Sequence, residues 1–158
     1  MAATKAKPQL TLRTRALRML ARREYTRQDL EQKLAPSDDE RAELEALLDD
    51  FEQRGWLSER RYVEQVLTVR RRRFGMERIA RDLAEHGVSA ETVKGARREL
   101  AEDELAAARA VWRRKFKTPA ATAAERARQV RFLCGRGFAM ATVMQVIKGG
   151  AEDDAVDE

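Results

Sequence analysis

The sequence predicts an all-α fold: nine helices in three tandem three-helix (helix-turn-helix-like) repeats, elongated and curved. Three observations lead there. Apolar residues recur at helical three- and four-residue steps, and no stretch shows the two-residue alternation of a strand. Five core-type positions around an aromatic corner also recur. Val66, Val69, Phe74, Ile79 and Leu83 map onto Leu17, Leu20, Tyr25, Leu30 and Leu34 at a shift of 49, and onto Val130, Leu133, Phe138, Val143 and Ile147 at a shift of 64. Finally, the 158 residues are 43% hydrophobic but 37% charged and only 6% aromatic. That balance suits a string of small helical units better than one deep core. Such an array should give a radius of gyration well above the roughly 15 Å of a compact chain of this length, which solution scattering measures.

The repeats are expected over residues 11–54, 55–102 and 103–148, between a disordered basic N-terminus (1–10) and a disordered acidic tail (149–158) with five acids in its ten residues. The first helix, 12–23, carries five arginines and no acid. Tyr25 makes its corner, Thr26 is the N-cap of a second helix with Asp29 at its third position, and that helix stops before Pro36. Ser37, Asp38 and Asp39 open an acidic helix with Leu44, Leu47, Leu48 and Phe51 as its buried stripe, ended by Gly55. Trp56 and Leu57 pack the next corner. Ser58 caps a long helix whose buried face is Tyr62, Val66 and Val69 and whose end is the run Arg70 to Arg73. A helix over 76–86 follows Gly75 and stops at Gly87, and Ser89 starts a sixth that runs to Leu100. The seventh, 103–116, turns Leu105, Ala108, Val111 or Trp112, and Phe116 inward and ends in Arg113, Arg114 and Lys115. The eighth spans 122–136, Gly137 and Phe138 make the third corner, and the ninth ends near Lys148.

Charge is the main functional signal. The net charge is +5, but residues 60–81 hold eight arginines against two glutamates, while 37–54 hold eight acids against two arginines. A basic centre of that density points to an anionic partner. Cations at a helix C-terminus complement the macrodipole, which one or two arginines would do; Arg70, Arg71, Arg72 and Arg73 exceed that need. On a helical wheel Arg71 and Arg72 face away from the apolar stripe, while Arg70 and Arg73 lie nearer it. Arg78, the pair Arg22 and Arg23, the cluster Arg113, Arg114 and Lys115, and Arg136 are further contact candidates. Arg23, Arg72 and Arg136 each precede a corner aromatic by two positions. The acidic helix is expected to pair within the chain with the arginine-rich helix after it.

Little else carries chemistry. Cys134 is the only cysteine, reads as a small buried hydrophobe and allows no intrachain disulfide. His86 stands alone before a glycine, so a helix-end role outweighs metal binding, and no cysteine or histidine cluster suggests a metal. Gly135, Arg136 and Gly137 form a helix end, not a phosphate cradle. No arrangement of serine, histidine and carboxylates suggests nucleophilic catalysis. The expectation is a non-enzymatic, cofactor-free, soluble cytoplasmic monomer with no apolar run long enough for a membrane span.

Three stretches carry a resemblance: 16–34 (ALRMLARREYTRQDLEQKL), 55–89 (GWLSERRYVEQVLTVRRRRFGMERIARDLAEHGVS), and WRRKF (112–116) with VRFLCGRGFAMATVMQVIKG (130–149). In order and spacing they resemble the RecX family of bacterial recombination regulators, over nearly the whole chain. Trp56 stands where the family commonly has tyrosine and Ser58 where an acid is common. The resemblance implies three tandem three-helix units and a protein that binds the RecA recombinase, lodges in the groove of its filament on DNA, and restrains strand exchange, ATP turnover and co-protease activity. Weak, sequence-tolerant DNA binding accompanies that reading. The runner-up is a helix-turn-helix transcription regulator reading bases through Arg27 and Gln28. The corresponding positions of the other copies, Met76 with Glu77 and Ala139 with Met140, lack such residues.

Overall fold

The computed structural model describes residues 8–150. The basic arm up to residue 7 and the acidic tail from residue 151 lie outside the described residues. The chain divides into two compact units, one ending at Tyr62 and the other beginning at Val63.

In the first unit, side-chain caps set the helix starts. The Thr11 hydroxyl accepts the Thr14 N–H at the head of α1 (Leu12–Leu20), and Thr26 accepts the Asp29 N–H at the head of α2 (Arg27–Leu34). A single 3-10 turn over Asp38–Glu40, with the Glu40 carboxylate accepting the Ser37 N–H, leads into α3 (Arg41–Gln53). Ser58 caps α4 (Glu59–Arg70), which runs across the boundary into the second unit. The core joins Leu12 and Ala16 of α1, Tyr25, Leu30 and Leu34 around α2, Leu44, Leu48 and Phe51 of α3, and Leu57.

The second unit adds α5 (Met76–Glu85), α6 (Ala90–Phe116), α7 (Ala123–Gly135) and α8 (Met140–Gly149). Its spine is α6, 27 residues and so about 40 Å long. Along it pack α5, α7 and α8. Ala108, Val111 and Trp112 of α6 share a core with Leu133 of α7, Phe138, and Val143, Val146 and Ile147 of α8.

The described residues therefore form eight α-helices and one 3-10 turn, where nine helices were expected. The sixth and seventh expected helices are one, and the expected boundary at 102/103 falls inside it. The stretch Leu100 to Ala107 contains no glycine or proline and is rich in strong helix formers, so nothing local breaks it. Its acids, which look like a helix start, are used by other elements, as described below.

The repeat alignment holds best in its second half. Positions five and nine after each aromatic are buried in all three copies: Leu30 and Leu34, Ile79 and Leu83, Val143 and Ile147. Before the aromatic, Leu17, Val66 and Val130 are all half-buried, but the next position diverges: Leu133 is fully buried, Leu20 is half-buried, and Val69 is 65% exposed. The buried face of α4 is Tyr62, Val63 and Leu67, not Tyr62, Val66 and Val69. The physical reason is the turn. Leu20 ends α1 five residues before Tyr25, Arg70 ends α4 four before Phe74, and Gly135 ends α7 three before Phe138. Each residue of difference rotates the preceding helix by about 100°, so equal spacing in sequence selects a different face.

Two smaller expectations also change. Cys134 is half-buried beside the second unit's core, because it sits one residue past Leu133 at the rim. The acidic helix α3 does pair within the chain, but not with the basic end of α4. Asp49 and Glu52 take Arg27 of α2, and Asp50 takes Arg13 of α1 and Arg54. Those carboxylates lie on the α3 face adjoining α1 and α2, and the nearest cations there meet them first.

Candidate functional site

The candidate surface is assembled where the second and third corners cross. The Gly75 N–H donates to the Arg136 carbonyl at 2.7 Å, and the Glu77 N–H to the Gly137 carbonyl at 3.1 Å. A Cβ on Gly75 would stand 2.4 Å from the Gly137 backbone. One on Gly137, whose φ is +88°, would stand 2.3 Å from the Arg78 Cβ. Only glycine permits that approach at both corners.

A buried carboxylate holds the crossing from the other side. Glu104, midway along α6 and 7% exposed, accepts the Met76 N–H at 3.3 Å, the Ala139 N–H at 3.4 Å and the Thr142 hydroxyl at 2.8 Å. One side chain thereby supplies partners to the N-termini of both α5 and α8, where the helix dipoles favour negative charge.

With the corners locked, the C-terminal ends of α4 and α7 come together and the last turn of α6 joins them: the Arg114 guanidinium donates to the Arg72 carbonyl. The cations gathered here separate into two groups. Arg70 is paired with Asp82, and Arg71 with Asp103 at 3.0 Å. Arg72, Arg73, Arg78, Arg114, Lys115 and Arg136 make no ion pair among the described residues. Aromatic rings orient several of them. Arg78 lies 4.1 Å from the Phe74 centroid, Arg136 lies between Phe74 (5.4 Å) and Phe132 (5.1 Å), and Lys115 is 5.7 Å from Phe132. Arg73, Arg114, Lys115 and Arg136, with Val111 and Phe132, line an open hollow of about 380 Å³.

Over this architecture the chain resembles known proteins along nearly its full length. It is 48% identical over 142 residues to the regulatory protein RecX of Leptothrix cholodnii, covering 90% of each chain. It is 42% identical over 148 residues to that of Chromobacterium violaceum, covering 94% of this chain and 96% of the relative. The chain belongs to the RecX family. A family model described as RecX, third three-helix domain, matches residues 102–147. The crystal structure of RecX from Lactobacillus salivarius has the same fold, with a TM-score of 0.73 over 87% of this chain and 93% of that one at 14% identity.

For this RecX-family chain, the sequence-nominated arginines do not all behave alike. Arg71, expected to face solvent with Arg72, is instead half-buried against Asp103, an acid 32 residues away. Arg70 is likewise engaged, by Asp82 and over the Phe74 ring at 5.7 Å. Arg113 is exposed at the end of α6 with Arg114 and Lys115. Arg22 and Arg23 belong to the first unit, where Arg22 lines a separate hollow with Arg15 and Arg18, and Arg23 stacks 4.2 Å from the Tyr25 ring. The arginine before each aromatic thus does not have one role: Arg23 covers its own Tyr25, Arg136 covers Phe74 of the neighbouring corner, and Arg72 contributes its carbonyl.

Arg27, the leading base-reading candidate, is occupied. It reaches Glu31 at 3.4 Å, Asp49 at 2.7 Å and Glu52 at 3.4 Å. Burial works against its charge, and the bonds to Asp49 and Glu52 overcome this, raising its pKa above the ordinary guanidinium value. Sequence reasoning missed Glu104 and Phe132. The first is one acid among several in a helical run, and the second lies outside the aromatic repeat. No helix of the described residues is long and apolar enough to cross a membrane, and no group of three metal-ligating side chains occurs among them.

Proposed function

We propose that this chain binds the filament of the RecA recombinase on DNA, lodges in its groove, and restrains strand exchange, ATP turnover and co-protease activity. The observation that carries this is the full-length relationship to proteins named regulatory protein RecX. The action is non-catalytic: a monomer in the cytoplasm occupies a surface, with weak sequence-tolerant DNA contact alongside. The organisation suited to it is three three-helix units, with α6 shared by the second and third.

The cations without carboxylate partners supply the chemistry. A filament on DNA offers acidic protein surface and backbone phosphate in one groove, and both attract a cluster of guanidinium groups that has no internal counter-charge. Arg72, Arg73, Arg78, Arg114, Lys115 and Arg136 are the contact residues of this proposal. Arg70 and Arg71 hold the corner that presents them. The transcription-regulator alternative is disfavoured by Arg27, whose guanidinium is tied to three carboxylates.

The test is retention by RecA on single-stranded DNA with a slowly hydrolysed nucleotide, coupled to inhibition of RecA ATP turnover. Retention with dose-dependent inhibition is the expected result. No retention, together with tight binding to one duplex sequence at moderate salt, would favour the transcription regulator.

A further inference from the structure

The hollow between the ends of α4, α6 and α7 has the composition of a phosphate seat. Its lining holds four cations (Arg73, Arg114, Lys115 and Arg136) and no carboxylate. The bland explanation is that these cations neutralise helix C-termini. Three termini supply about −0.5 charge each, or about −1.5 together. Four cations leave roughly +2.5 beyond that need. Many arginines elsewhere are answered by acids: Asp50 meets Arg13 and Arg54, Asp49 and Glu52 meet Arg27, and Asp103 meets Arg71, whereas Arg15, Arg18 and Arg22 at the first unit's hollow make no ion pair among the described residues. Between α4, α6 and α7 no acid answers the excess among the described residues.

The aromatic residue that lines this hollow and those beside it serve the cations. Phe132 meets the Phe116 ring edge-on at 5.3 Å, Arg136 at 5.1 Å and Lys115 at 5.7 Å. Phe74 is likewise flanked by Arg70, Arg78 and Arg136. A stacking platform for single-stranded bases needs a ring with an open face, and these rings are already covered by guanidinium and ammonium groups.

We infer that this hollow seats two neighbouring phosphates of a single nucleic-acid strand, with Arg114 and Lys115 on one side and Arg73 and Arg136 on the other, and makes no contact with the bases. The assignment deepens the proposed function by locating its DNA contact, and it is tested without RecA. The fork of each guanidinium suits phosphate oxygens, and the hollow is within the size range of about 300–1,000 Å³ of small-ligand sites. Arg114 is held toward the hollow by its bond to the Arg72 carbonyl, and Arg136 by the two rings.

The experiment is fluorescence anisotropy of the full chain with a labelled oligo-dT strand and with an abasic strand of equal length, each over a range of salt. The double variant Arg114→Gln with Lys115→Gln should bind both strands on the order of tenfold more weakly, with the log–log salt slope reduced by about 1.4 for two lost phosphate contacts on a single strand. Arg97→Gln removes one charge from a position paired with Glu77 outside the hollow and should bind as wild type. If circular dichroism shows the double variant misfolded, Arg73→Gln replaces it, since that side chain makes no hydrogen bond or ion pair among the described residues.

Unchanged affinity in a folded variant would overturn the seat. So would wild-type binding to the abasic strand more than about tenfold weaker than to oligo-dT, which would place the contact on bases, or displacement of the strand by polyglutamate at equal charge concentration, which would make the hollow a site for acidic protein. Strand binding that depends on these residues in a protein that RecA filaments do not retain would keep the seat and sink the RecA reading. The reverse pairing would do the opposite.

Discussion

At the scale of single residues, burial and partners set consequences that position in a repeat does not. Leu133 is fully enclosed, so Leu133→Ala should cost about 2–5 kcal/mol. Val69 holds the corresponding place in the repeat but is 65% exposed, and Val69→Ala should change stability by no more than about 0.5 kcal/mol. Urea denaturation of the two variants compares them directly. Near-equal losses would restore the equivalence that the sequence suggests. Glu104 is the other decisive residue. Glu104→Ala strips the partner from two helix-terminal N–H groups and the Thr142 hydroxyl, and should cost about 3 kcal/mol. Glu104→Gln, which keeps an acceptor oxygen, should cost distinctly less.

At the scale of elements, the two crossing corners control the second unit. Gly137 combines a left-handed φ of +88° with a backbone contact that leaves no room for a Cβ, so Gly137→Ala should destabilise by about 1–3 kcal/mol. Gly95, exposed within α6 with no atom near its missing Cβ, gives the opposite sign: Gly95→Ala should stabilise by about 0.5–1 kcal/mol. Thermal melts of the pair should move apart, and a stable Gly137→Ala protein would mean the corners can separate. In α3 the relevant effect is protonation. The Arg54 hydrogen bond, and then Arg13, hold the Asp50 carboxyl below the ordinary carboxylate range. A depressed carboxylate pKa contributes stability above the unfolded value of about 3.9 and loses it as pH falls through the folded value. An NMR titration should find the Asp50 midpoint below that of an unpaired aspartate, and an ordinary midpoint would show the Arg54 bond to be absent in solution.

At the scale of the whole molecule, a net charge of +5 says less than its distribution. Acids answer Arg27 of α2 and Arg54 after α3, while Arg73, Arg114, Lys115 and Arg136 at the ends of α4, α6 and α7 have no carboxylate partner among the described residues. For the proposed RecA role this selects which variants should matter. Replacing Arg72 and Arg73 with Ala should leave the fold intact and raise the concentration needed to inhibit RecA ATP turnover about tenfold, equivalent to roughly 1.4 kcal/mol. Replacing Arg70 and Arg71 should lower the melting temperature as well, because Asp82 and Asp103 lose their partners. Inhibition by a folded Arg72/Arg73 variant at unchanged concentration would move the contact surface elsewhere.

What the sequence by itself determined here is local. Helical spacing establishes the all-α class. Thr26, Ser58 and Ser89 mark helix starts because a cap bonds an N–H only a few residues on. The aromatic corners and the buried positions after them follow from the same short range, as does the family, whose stretches lie in order along the chain. The tertiary structure alone decided the rest. The turn before each corner rotates the preceding helix and turns Val69 outward. The run of acids that reads as a helix start is spent on Arg71 and on the N-termini of α5 and α8. Of four consecutive arginines, two are paired and two are not, since the deciding carboxylates, Asp82 and Asp103, stand 12 and 32 residues away from Arg70 and Arg71. These two pairs join groups close in space but far apart in sequence, and no local pattern encodes them.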